Sequence, residues 1–284
     1  MKILSRHKIL VALFSILLMA CEDPIDWDVN SDQIKLVVEG RVTNEFINQQ
    51  VKLTQTADYF SSASPRMVEG AQVVVSDGES TYNYEELQPG IYTSVNAFAG
   101  VIGRSYSIDI QLSSPLGEST AFTASSTMLP PMTLDSLFNK KEATFDDTGE
   151  VSEDSLYLLG FYGQEVVGFE NGYFFDVFVN DFKETDNVVN LGIFDDNFLE
   201  DDYLEDFLIY EVEEGNPGDS ITMVLYSVER EYVTFLDALV AEIEGAEPLG
   251  FSGPPANVVG NFSNGGLGYF YTAAVDTSYT VLID

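Results

Sequence analysis

Short runs of alternating, β-branched residues, each closed by a turn signal, recur along most of this chain. Residues 34–43, 51–56, 71–76, 81–84, 91–94, 105–112 and 120–126 are such runs. Successive side chains of a strand point to opposite faces, so a period of two predicts half-buried strands. Asp77-Gly78 and Pro89-Gly90 supply tight turns between them. Residues 60–67, with their Ser, Ala and Pro, predict a loop. The spacing predicts a β-sandwich over residues 34–128.

A break follows. Pro130 and Pro131 cannot donate to a ladder and favour extended chain, which predicts a domain boundary near residue 129. Residues 139–155 are polar and acidic and predict a loop or a ragged first strand. Beyond them, 155–162, 173–179, 188–194, 204–212 and 221–228 read as strands, with a turn at Asn216-Pro217-Gly218-Asp219. Residues 229–243 predict a helix, because Tyr232, Phe235, Leu236, Leu239 and Ile243 recur at helical spacing. Glu229 and Glu231 suit its N-terminus and Gly245 its end. Residues 278–283 predict a last strand. The fold class expected is mostly β: an N-terminal sandwich, then a β-rich domain over 129–284 with one helix. Gly70-Ala71-Gln72-Val73, Asp77-Gly78 and Pro89-Gly90-Ile91-Tyr92 resemble Ig-like, prealbumin-like and carboxypeptidase-regulatory sandwiches.

The first residues carry an address. Lys2, Arg6 and Lys8 precede an uncharged apolar run over 9–19. That run is too short to span a bilayer and has the proportions of a signal-peptide core. It ends in Leu18-Met19-Ala20-Cys21, which resembles the bacterial lipobox, with Met19 a less usual residue within it. The reading is a signal peptide over 1–20 and a lipidated Cys21. The competing reading is a secreted protein with an incidental cysteine. Cys21 is the only Cys, at the expected place, which favours lipidation. An acidic tether, residues 21–33, follows. Glu22, Asp23 and Asp26 resemble the surface-export signal of Bacteroidota lipoproteins, against the alternative of a merely solvated linker. Trp27, the only Trp, lies in this tether and is a candidate docking residue, on the protein's own body, a barrel rim or headgroups.

Composition then excludes chemistry. The chain has 47 Asp and Glu against 12 Lys and Arg, for a net charge of −35. Loss of residues 1–20 removes three bases and the sole His, leaving 9 bases against 47 acids. Serine-histidine and cysteine-histidine catalysis and His-ligated metals are thereby excluded from the mature chain. Nucleic acid is excluded as a partner, since polyanions repel such a surface.

Four features together resemble one family. They are Cys21-Glu22-Asp23-Pro24-Ile25-Asp26; Leu36-Val37-Val38-Glu39-Gly40; Pro65 with Gly70–Val73 and Tyr92-Thr93-Ser94; and the stretch from Pro254 to Phe270 after the helix. The chain is similar to an uncharacterised family of Bacteroidota outer-membrane lipoproteins, encoded beside SusC-like TonB-dependent receptors. The resemblance implies a surface-facing accessory subunit of such a transporter or a related β-barrel complex. It implies no reaction and no catalytic residue.

Other candidates stand on residues alone. Asp195, Asp196, Glu200, Asp201 and Asp202 are dense enough in carboxylates to hold Ca2+, the one cofactor suggested. They lack the EF-hand glycine, and an acidic solvated turn competes with that reading. A second acidic patch, Glu142 with Asp146, Asp147, Glu150, Glu153 and Asp154, reads as loop. Tyr157, Phe161, Tyr162, Phe169, Tyr173, Phe174 and Phe175 would suit a sugar platform, or simply a core. Gly265, Gly266 and Gly268 open no helix and fail the dinucleotide pattern. The expected function is therefore a non-enzymatic surface lipoprotein beside a barrel. The alternative is a stand-alone carbohydrate- or peptide-binding lipoprotein. A hydrolase using two carboxylates has no motif behind it.

Overall fold

The computed structural model describes residues 34–57, 64–145, 151–199, 203–212, 215–245 and 257–283. The signal, Cys21, the acidic tether and Trp27 lie outside them. Residues 33–284 form one compact unit.

Besides two short 3-10 turns, the described residues contain fifteen strands and one α-helix. They are β1 (Leu36–Thr43), β2 (Gln50–Gln55), β3 (Gln72–Ser76), β4 (Thr81–Gln88), β5 (Ile91–Ser94), β6 (Ser105–Leu116), β7 (Ser119–Thr127), β8 (Thr133–Phe145), β9 (Val151–Gln164), β10 (Asn171–Val179), β11 (Phe182–Lys183), β12 (Gly192–Asp195), β13 (Tyr203–Val212), β14 (Ser220–Glu229), α1 (Arg230–Gly245) and β15 (Leu267–Val281). Eleven strands run in the order β11-β10-β14-β15-β1-β2-β5-β4-β3-β6-β7, with β12 also on β10, and β13-β9-β8 form a second sheet. The architecture is mostly β.

The seven strands read in residues 34–128 are present. On β1, Leu36, Val38 and Val42 are buried while Glu39 and Arg41 face outward. The sheet curls, so that edge strand β7 returns beside β15. Ser126 Oγ accepts from Thr272 N–H at 3.0 Å, and Ser263 N–H donates to the Thr123 carbonyl at 2.8 Å. The enclosed core takes its side chains from Leu36 through Met128, and then Phe262, Phe270 and Ala274 from the far end of the chain.

Cores change over where the boundary is expected. Met132 begins a second core, shared by the β13-β9-β8 sheet and one face of β10 and β14. The backbone does not part there. β1 pairs in parallel with β15 from Val37–Leu267 to Thr43–Ala273, so the two ends of the chain share one ladder. The opposite face of β10, β14 and β15 packs on α1 through Phe174, Tyr226, Val228 and Ala273 against Val233, Phe235 and Leu236. Being covered on both faces explains why residues 173–179 read as a continuous apolar run rather than an alternating one.

Three local expectations are corrected. Residues 139–155, expected as a loop or a ragged first strand, are strand where described: they fall in β8, which starts earlier at Thr133, and in β9, and the two pair with each other. Cross-strand pairing stabilises β8, a polar strand with a weak local signal. Residues 188–190 form a 3-10 turn, because the Asn187 side chain accepts from Val189 N–H; only 192–195 is strand. The last strand begins at Leu267, eleven residues before its predicted start.

Candidate functional site

A concavity lies on the outward face of β1, β2 and β15, beneath α1 and the 183–191 segment. It encloses about 730 Å³, within the range of small-molecule sites. Register brings its walls together: Glu39 stands beside Tyr269 and Lys52, and Arg41 beside Tyr271. Tyr232 and Phe235 descend from α1. Tyr232 stacks on Tyr271 with ring centroids 4.0 Å apart, and Phe235 tilts on Tyr269 at 5.0 Å.

The glycine at 268 shapes the floor. Its φ is +83°, and a Cβ there would run into the Val38 carbonyl oxygen. Close approach of backbones requires this glycine. Gly265 also has positive φ, so the glycine cluster is a turn into β15.

Basic groups concentrate here against the overall charge. Arg41, Lys52 and Lys183 line the space, together with the carboxylates of Glu39 and Asp186. Lys52 Nζ is 2.7 Å from Glu39, and Lys183 Nζ is 2.9 Å from Asp176. Buried Asp176 also accepts from the Thr185 hydroxyl at 3.1 Å and the Tyr226 hydroxyl at 3.3 Å. Arg41 has no carboxylate within ion-pair distance among the described residues. Burial pulls its guanidinium down, but Tyr271, Tyr226 and Asp176 outweigh that and hold it above its ordinary value. Burial, then the charges of Glu229 and Glu231, push the Tyr269 hydroxyl up to about 12. Burial above all pushes Tyr232 and Tyr226 upward too, so these hydroxyls remain protonated donors near neutrality.

The candidates read from sequence fall elsewhere. Tyr157, Phe161, Tyr173 and Phe175 are core, and Phe174 is buried against α1. Tyr162 is half-buried, with its hydroxyl on Asp206, and Phe169 is exposed. Burial takes Tyr157, Phe161, Tyr173, Phe174 and Phe175 out of the sugar platform and leaves Tyr162 and Phe169 outside the core. Asp195 and Asp196 are engaged by Arg230: its Nη2 donates to Asp196, and its Nε lies 3.7 Å from Asp195. Asp195 also accepts from Asn197 N–H at 3.0 Å. Glu200, Asp201 and Asp202 lie outside the described residues, as do Asp146, Asp147 and Glu150. Among the described residues, no group of three or more Asp, Glu, His or Cys is placed to hold a metal ion. No helix of the described residues is long and apolar enough to cross a membrane.

Sequence reasoning missed Arg41, Lys52, Lys183, Tyr269 and Tyr271 as a group. One signal was available, since bases are scarce after residue 20 and Arg41 falls on the outward period of β1. Their convergence depends on a parallel pairing between residues about 230 apart in sequence, for which no local pattern exists.

No curated protein matches the sequence. Among solved structures, the adhesin InvE of Yersinia pseudotuberculosis is similar at 14% identity, with 70% of this chain and 57% of the adhesin covered and a TM-score of 0.21. This chain thus spans little more than half of that adhesin. A two-domain fibronectin type III segment from chicken tenascin is similar at 12% identity, with 70% and 92% covered and a TM-score of 0.19. The family described as "Domain of unknown function (DUF4249)" matches residues 22–279, and the chain belongs to that family.

Proposed function

We propose that this protein is a non-enzymatic, lipid-anchored subunit on the outer face of a bacterial outer membrane, working beside a SusC-like TonB-dependent β-barrel or a related barrel complex. Cys21 carries the lipid, Glu22, Asp23 and Asp26 direct surface export, and Trp27 sits in the connecting tether. The resemblance to Bacteroidota lipoproteins supports this address.

The observation that carries the docking part is an apolar end of the sandwich. Phe46, Ile47, Val95, Val101 and Ile102 are exposed on two loops, and Phe46 is 76% exposed. The loops are laced together. Ile47 pairs with Phe98, Gly100 N–H donates to the Thr43 carbonyl at 2.8 Å, and the Gln49 side chain donates to the carbonyls of Glu45 and Phe98. Rigid apolar loop tips on so acidic a protein suit contact with a partner.

The test is an affinity pull-down from native outer membranes in mild detergent, with a tag after Asp284. A stoichiometric barrel is expected, and Phe46→Asp with Val101→Asp should reduce it at least tenfold without changing the melting temperature. A lone monomer, with the barrel present in the same membranes, would sink the reading. The second reading, a stand-alone binder of carbohydrate or peptide, is favoured by the tyrosine-lined concavity, and that outcome would promote it.

A further inference from the structure

We propose that the concavity between β1, β15 and α1 binds a small organic anion, with its carboxylate or phosphate on Arg41 and its apolar or planar body among Tyr269, Phe235, Leu236, Leu239 and Val258. This goes beyond the anchoring and docking reading and does not depend on it.

Three observations converge. The volume, about 730 Å³, suits a drug-sized molecule. Of the 26 lining residues, 14 are apolar or aromatic and ten are polar or charged, so the space offers both an apolar wall and groups that can orient a ligand. The third is the state of Arg41. Asp176, the acid whose charge acts on it, is already satisfied by Lys183, Thr185 and Tyr226. The other nearby acid, Glu39, holds Lys52. A ligand carboxylate at Arg41 therefore breaks no existing ion pair. A guanidinium presents a planar fork that matches carboxylate and phosphate in bidentate fashion. The Tyr271 hydroxyl beside it adds polar contact, and Asn187 and Asn257 stand at the lining.

Arg41, rather than net charge, decides the sign of the ligand, because the three bases here are matched by Glu39, Asp186 and Asp176. The molecule as a whole repels anions, yet three of its nine bases after residue 20 line this one space. A cation would find acidic surface almost anywhere on this protein. An anion finds here a base that holds no carboxylate, beside an apolar wall.

The test uses calorimetric titration of the purified chain in matched mild detergent, with detergent-only titrations subtracted. The probes are 2-naphthoate, 2-naphthyl phosphate and the neutral 2-naphthamide. At least one acid is expected to bind tenfold or more tightly than the amide, since only the acids use a charge-assisted pair. Whichever acid is tighter identifies carboxylate or phosphate as the natural group. Arg41→Gln should abolish the preference for acid over amide, and Arg41→Lys should retain part of it. Equal binding of acids and amide, binding of none of the three, or an undiminished preference in Arg41→Gln would overturn the proposal. The comparison within the wild-type chain decides even where a variant folds poorly.

Discussion

Single residues hold the loops that frame this molecule. The Asp77 side chain is fully buried, yet it takes Arg104 Nη1 at 2.7 Å and the N–H groups of Glu79 and Ser80. Burial pushes its carboxyl up. The Ser80 and Glu79 N–H groups, Arg104 and the Tyr82 hydroxyl outweigh that and hold it below the ordinary range. A depressed folded-state value means the stabilisation is present above the unfolded carboxylate range and lost as pH falls through the folded value. Asp77→Asn should therefore cost about 1–2 kcal/mol at pH 7, and urea titrations at pH 3 should show a smaller difference. A pH-independent difference would refute the charge argument. Gly268 makes a sharper case. Alanine there would strain a positive φ and press on the Val38 carbonyl, so Gly268→Ala should cost about 3 kcal/mol in the same assay. A loss below about 0.5 kcal/mol would mean the backbones are not so closely opposed. The Asp77-Gly78 turn is legible in sequence because the Asx-Gly pair is local chemistry. The demand on Gly268 is not, because the clashing atom belongs to a strand far away in the chain.

Among elements, β15 matters most. It carries the parallel ladder to β1 and the antiparallel ladder to β14, and it lends Phe270 and Ala274 to the first core. A fragment of residues 34–128 should therefore fail to melt cooperatively by near-ultraviolet circular dichroism, although its own strands are all readable. A sharp transition in that fragment would show that the sandwich needs no help from β15. The strands β1 to β7 were legible through their period of two and their turns. β8 was not, because its polar residues gain order only by pairing with β9. The helix was legible from its apolar stripe, and Val233, Phe235 and Leu236 are its buried residues. That stripe announces a helix without naming the sheet it covers, so the roofed concavity was invisible.

For the whole molecule, 47 acids against 12 bases make self-repulsion a global term. Salt screens exposed charges over about 8–10 Å near physiological ionic strength. The melting temperature should rise as sodium chloride goes from about 10 to about 150 mM, most steeply at the low end. A flat response by differential scanning fluorimetry would show that local pairs already neutralise the repulsion. Composition and local pattern alone determined the mostly-β class, the strands of 34–128 and the helix. Each of these depends on neighbours within a few residues or on a sum over the chain. Only the tertiary structure decided that three cores share one unit, that most of the aromatic platform is core, and that Arg41 stands beside Tyr271 of β15. Those depend on which distant strands pair, and pairing is set by burial over the whole sheet rather than by any short stretch of sequence.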